Sequence, residues 1–206
     1  DEFNLKLKKW FLKSVYDKKY FLVKYLYNYS DFTDLINNDP EGFLRNKVVN
    51  YDEPSILYLI IQNKEININA TPRGRNGTAF SLATWDKLIA CTRILYERGG
   101  VDINGIGNIG ETPLTGAAQT NSPGIAQYLI SLKDIDINKP NSSNKTALKI
   151  ALENDYFDVL NVLFKSPNLE FSPEILKKVV EKALFHTNVD LLKAISMNPK
   201  VDLNNL

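Results

Sequence analysis

The feature that most constrains this chain is a spacing: the residues between Thr78 and Leu152 repeat at intervals of about 34. Thr78, Thr112 and Thr146 stand 34 residues apart; Asn104 and Asn138 keep the same interval, and Asn69 precedes Asn104 by 35. A period of this length marks stacked supersecondary units, because one such unit cannot bury its apolar face alone. Each unit opens on a polar segment and passes through Thr112-Pro113-Leu114 or Thr146-Ala147-Leu148. A helical stretch such as Ile125-Ala126-Gln127-Tyr128-Leu129-Ile130 follows. The unit closes on Val101-Asp102-Ile103-Asn104 or Asp136-Ile137-Asn138.

Local chemistry supports the same units. Asn76, Gly110 and Asn144 each stand two residues before a Thr, and Gly and Asn tolerate positive φ, so a tight turn is predicted there. The Thr caps the helix that follows, and Pro113 suits its first turn. Ala117-Ala118 permits close helix packing; Ala83-Thr84 and Ala151-Leu152 occupy the same places. Pro54 lies 15 residues before Asn69, as Pro123 lies 15 before Asn138. That offset brings a divergent unit, 38–69, into register with 70–104, 105–138 and 139–172. Residues 1–37 read as an N-terminal cap, with Leu5, Leu7, Phe11, Leu12 and Val15 on an amphipathic helix. Residues 173–206 read as a C-terminal cap whose helix starts at Ser172-Pro173-Glu174. One array of about six units results, with helices expected at 5–15/18–28, 43–50/54–62, 78–86/88–97, 112–119/123–132, 146–154/156–165 and 173–185/188–196.

Thr-Pro-Leu opening a helix, an Ala pair inside it and Val-Asp-Ile-Asn after the second helix resemble the ankyrin repeat. The resemblance implies an all-α fold, an ankyrin-type helix-pair solenoid with short hairpin loops. It implies a protein–protein interaction module and no enzymatic activity. The family usually has His after Thr-Pro-Leu; Ser81, Thr115 and Lys149 stand there, which predicts weaker hydrogen bonding between repeats. Stacks of this kind present hairpin tips and first helices as an extended concave surface. The positions flanking the Thr and following the Ala pair are then expected to contact a partner protein. They are Gly74, Arg75, Gly77, Trp85 and Asp86 in one unit, Asn108, Ile109, Glu111, Gln119 and Thr120 in the next, and Ser142, Ser143, Lys145, Glu153 and Asn154 in the third. Arg75 and Trp85 lead, since Arg and Trp are enriched among interface hot spots. A monomer is expected, with no cofactor and no small-molecule substrate, because a repeat array offers no closed pocket by itself.

Other chemistry finds little support. The single cysteine, Cys91, excludes an internal disulfide and a Cys-rich zinc site, and its apolar neighbours predict a buried structural thiol. The single histidine, His186, has no second His to share a metal and no nucleophile in a catalytic motif. Gly105-Ile106-Gly107-Asn108-Ile109-Gly110 matches G-x-G-x-x-G, but a dinucleotide site needs a buried strand before it, so a repeat hairpin is expected. Asp134-Ile135-Asp136-Ile137-Asn138 opens like a calcium loop but continues with Lys139 and Lys145 where Gly and Glu are required. The sequons at Asn76 and Asn144 fall where the fold needs Asn and Thr, so they carry no argument for secretion. The start at Asp1 predicts a trimmed or processed chain, and compartment stays open, with the cytoplasm slightly favoured.

The net charge of +1 does not point to a polyanion-binding protein as a whole. The first 30 residues differ: seven lysines against Asp1, Glu2 and Asp17 give +4. Trp10, Phe11, Tyr16, Tyr20, Phe21, Tyr25, Tyr27 and Tyr29 are interleaved with them. Such a stretch suits nucleic acid or an anionic membrane surface. A solvated cap whose aromatics pack between helices is the preferred expectation, with no such binding at physiological salt.

Overall fold

A computed structural model describes residues 2–38, 43–49, 52–71, 77–107 and 110–202. They are helical, with no strand among the described residues. The chain falls into two compact units, Asp1–Ile109 and Gly110–Leu206.

The first unit holds α1 (Glu2–Tyr16), α2 (Tyr20–Tyr29), α3 (Thr33–Asn37), a π-helical turn (Phe43–Val48), α4 (Pro54–Ile61), α5 (Ala79–Trp85) and α6 (Ile89–Arg98). The fully buried Phe11 ring stacks on Phe32 with centroids 4.1 Å apart and lies 5.8 Å from Phe43. Ile56, Leu57, Ile60 and Ile61 bury the whole inner side of α4. Arg98 turns back from α6, and its Nη2 donates to the Lys64 and Ile66 carbonyls, each at 2.9 Å. A cation thereby meets backbone acceptors just beyond the end of α4.

The second unit holds α7 (Pro113–Gln119), α8 (Pro123–Ile130), α9 (Ala147–Glu153), α10 (Phe157–Phe164), α11 (Pro173–Phe185) and α12 (Val189–Met197). Leu114 and Leu148 are buried among these helices, with Ala117, Ala118 and Ala151 fully enclosed. The expected starts are present. The Thr78, Thr112 and Thr146 hydroxyls accept from the backbone N–H three residues on, as does Ser172, and proline opens α4, α7, α8 and α11. Thr115, in the place of the expected His, completes a reciprocal cap: its hydroxyl accepts from the Thr112 N–H at 2.8 Å.

Three features depart from the sequence expectation. Helix α1 begins at residue 2 instead of 5, residues 43–48 wind as a π-helix, and α3 was not foreseen. Short five-residue helices such as α3 carry too little periodicity to be read.

Two recurrent devices hold successive turns together. A left-handed residue precedes each second helix: Lys18, Asp52, Lys87, Asn121, Asp155 and Thr187, with φ between 48° and 63°. Asparagines at unit ends clamp the backbone some thirty residues on. Asn37 donates to the Glu65 carbonyl and accepts from the Asn67 N–H, both at 2.8 Å. Asn69 binds the Gly100 carbonyl and the Asp102 N–H, and Asn138 binds the Asn168 carbonyl and the Glu170 N–H. Each side-chain amide thus satisfies one donor and one acceptor that no helix would satisfy.

Candidate partner-binding surface

The first helices of the repeats bury nearly everything they carry. In α7 all residues except Gln119 are buried, and in α9 all except Lys149 and Glu153. Trp85, Gln119 and Glu153, the expected equivalents, are the last residues of α5, α7 and α9. Trp85 is half-buried; Gln119 and Glu153 are exposed, as is the neighbouring Asp86. In α7 the small Gly116, Ala117 and Ala118 are enclosed, and the terminal Gln119 is the first residue to emerge.

The hairpin before α9 is built around the buried Asn141. Its Oδ1 accepts from the Ser143 N–H at 3.0 Å and the Lys145 N–H at 2.9 Å. Its amide donates to both Glu111 carboxylate oxygens, at 2.9 and 3.0 Å. The Ser142 N–H donates to the Gly110 carbonyl at 2.8 Å, which joins this hairpin to the preceding one. Gly110 has φ 83°, and a Cβ there would lie 2.8 Å from Ser142 Cβ, so the glycine is required on both counts. Ser142 and Ser143 are left exposed at the tip.

Several expected contact residues are also held internally. Lys145 and Glu153 form an ion pair with each other. Asn154 donates to the Ile150 carbonyl at 2.9 Å. The Thr120 hydroxyl donates to the Gly116 carbonyl at 3.0 Å and meets Ser122 Oγ at 2.9 Å. Glu111 is half-buried under Asn141. Gly74, Arg75, Asn108 and Ile109 lie outside the described residues. Asn141, the organising residue, was missed; its signal was the Asn-Ser-Ser-Asn composition, which favours side-chain-supported turns.

The remaining chemistry is sparse. Among the described residues no group of three or more His, Cys, Asp or Glu is placed to hold a metal ion. His186 is exposed, its ring 4.9 Å from Phe157 and 5.0 Å from Phe185. Burial, followed by the Asp52 carboxylate, pushes the Cys91 thiol up to about 12, so it is no nucleophile. Asp136 accepts from the Asn138 N–H at 3.0 Å and Ile137 is buried, which is a connection between units. A recess of about 660 Å³ between α10 and α12 is lined by Asn161, Lys165, Asp190, Lys193 and Met197 among others. None of the expected contact residues lines it.

The expectation for the N-terminal aromatics needs correction. Phe11 is buried, and Tyr20 and Tyr27 are half-buried, but Trp10 is 57% and Phe21 85% exposed, with Tyr16, Tyr25 and Tyr29 also exposed. The buried stripe of α1 is Leu7, Phe11, Ser14 and Val15. At 3.6 residues per turn, Trp10 and Tyr16 fall off it.

The family model for ankyrin repeats (3 copies) matches residues 13–141 and 91–174. An ankyrin repeat domain, ABAYE2397 from Acinetobacter baumannii AYE, is similar in structure with a TM-score of 0.69 and 18% identity, over 94% of this chain and 98% of that one. The ankyrin repeat protein EF0377 is similar with a TM-score of 0.64 and 20% identity, over 74% of this chain and 78% of that one. No curated protein matches the chain.

Proposed function

We propose, from the premise that this chain belongs to the ankyrin repeat family, that it binds a partner protein through the ends of its first helices and its hairpin tips. Ankyrin repeats are in general protein–protein interaction modules, and their fold is typically a non-enzymatic binding scaffold. The observation that carries the reading to particular residues is a register. Trp85, Gln119 and Glu153 follow one another at 34-residue intervals, each ending a first helix whose other residues are mostly buried. Ser142 and Ser143 add exposed polar groups at a hairpin whose shape is set by Asn141. Arg75, Asn108 and Ile109 belong to the same proposed set by sequence position, beside Asp86, Glu111, Thr120, Lys145 and Asn154.

Trp85 supplies the largest apolar area in the set. Partners captured from a lysate by the full chain are identified and purified, then titrated calorimetrically with each variant. Trp85→Ala weakens binding by about 2 kcal/mol, and Lys177→Ala on α11 leaves it unchanged. A thermal melt accompanies each titration. Unchanged affinity in Trp85→Ala and in the double variant Gln119→Ala/Glu153→Ala removes the helix-end surface. Lost binding with an equal loss of stability assigns Trp85 to packing.

A further inference from the structure

The exposed face of α1 and α2 is chemically unlike the rest of the molecule. Of the fifteen exposed large apolar side chains among the described residues, eight belong to these two helices: Phe3, Leu5, Trp10, Tyr16, Phe21, Leu22, Tyr25 and Tyr29. On α1 they share two rows with lysine. In one, Phe3 and Trp10 alternate with Lys6 and Lys13; the other runs Leu5, Lys9, Leu12, Tyr16, in which Leu12 is half-buried. Steps of three and four residues keep each row on one side of a helix. On α2, Phe21, Tyr25 and Tyr29 are spaced by four, and the Tyr25 and Tyr29 rings stack with centroids 6.3 Å apart. Lys24 stands exposed beside them.

Charge is concentrated in the same place. Residues 1–30 carry +4 in a chain of +1, so the remainder is net −3. Lys18 is paired with Glu53 at 2.9 Å and Lys19 lies 3.9 Å from Asp17. Lys8, Lys9, Lys13 and Lys24 make no ion pair among the described residues. The other exposed apolar group, Leu184, Phe185, Val189 and Met197, has no such bias. Its helices carry Glu174, Glu181 and Asp190 among Lys177, Lys178, Lys182 and Lys193, and Lys182 is paired with Asp155.

We propose that the outward faces of α1 and α2 dock on an anionic phospholipid bilayer. Trp and Tyr have an apolar body and a polar edge, which suits the level of the headgroups. Leu5 and Leu22 reach the acyl boundary, and the lysines meet acidic headgroups. Nucleic acid is the less fitting occupant: bases stack on rings, but an aliphatic row gains nothing from them. Among the described residues no helix is long and apolar enough to cross a membrane; the proposed attachment lies in the interface. This surface shares no residue with the proposed protein-binding set, so either can fail alone.

The test uses the full chain and vesicles of phosphatidylcholine with and without phosphatidylserine. Trp85→Phe leaves Trp10 as the only indole, and its emission shifts to the blue when phosphatidylserine vesicles are added. Co-sedimentation occurs with these vesicles, is absent with phosphatidylcholine alone, and falls as salt rises. Lys8→Ser, Lys9→Ser and Lys13→Ser each lower binding about fivefold. Trp10→Ser/Phe21→Ser abolishes it with an unchanged melt, whereas Trp10→Phe retains most of it. Three results overturn the proposal. One is no sedimentation with phosphatidylserine vesicles at low salt. Another is binding to single-stranded RNA that protects Trp10 while vesicles do not. The last is a dimer in light scattering that Trp10→Ser/Phe21→Ser dissolves, again without vesicle binding.

Discussion

Helices α1 and α7 each open a helix pair, yet they solve opposite packing problems. Helix α1 has 15 residues and buries only the Leu7, Phe11, Ser14 and Val15 stripe. Helix α7 has 7 residues and buries all but Gln119. A helix enclosed on nearly every side must be small on nearly every side, hence Gly116, Ala117 and Ala118. A helix buried on one side can carry Trp, Tyr and Lys on the other. Aromatic content therefore says nothing of burial until the neighbours are known: α7 has no aromatic and is enclosed, while α1 has four and exposes three of them, Phe3, Trp10 and Tyr16.

The largest expected effects come from removing the anchors of the two units. Phe11→Ala should cost about 3–5 kcal/mol, since its ring is fully buried and stacked on Phe32; Leu148→Ala should cost about 2–5 kcal/mol. Denaturant unfolding measures both. Because repeats depend chiefly on their neighbours, hydrogen exchange should show the first loss within 1–109 and the second within 110–206. Identical protection patterns would break the contrast between the units.

Overpacking comes next. Ala117→Leu in α7 should destabilise by about 1–3 kcal/mol, because Ala117 is fully buried and the larger side chain has to displace packed neighbours. A melt unchanged by this substitution would show that α7 is not confined.

Cys91 gives a pH test within the first unit. Below its ordinary value of 9.0 the thiol is protonated in both states and adds no pH dependence. Between 9.0 and about 12 the unfolded chain releases the proton while the folded chain keeps it, so stability falls as pH rises through that window. Unfolding curves above pH 9 should therefore steepen their decline in the wild type relative to Cys91→Ala. Parallel declines would mean that the thiol titrates normally in the fold.

The smallest effect sharpens the comparison most. Trp10→Ser on the outer side of α1 should change stability by no more than about 0.5 kcal/mol, despite removing the largest side-chain type. A loss comparable with that of Phe11→Ala would place Trp10 in the core.

Much of the architecture was legible in the residues. Thr, Ser and Pro at helix starts act on N–H groups within three residues, so α5, α7, α9 and α11 could be placed closely. Leu114 and Leu148 were identifiable because their position in the period repeats. The candidate surface was legible only in part. Position in the period selected Trp85, Gln119 and Glu153, but it could not show that Lys145 pairs with Glu153 or that Glu111 is held by Asn141. Those partners lie 8 and 30 residues away, beyond any local rule.

By itself, then, the sequence determined the repeat length, the helix starts and the enclosed small-residue helices, since each follows from backbone groups and side-chain volumes close along the chain. Tertiary structure decided the rest. Lys18, Lys87 and Thr187 adopt φ of 55°, 63° and 51°. No intrinsic preference leads these residues there; the packing of each second helix against its first imposes it. The same holds for the partners of α1: helical periodicity could set Phe11 apart from Trp10, but only the tertiary structure supplied Phe32 and Phe43 as the rings against which Phe11 packs.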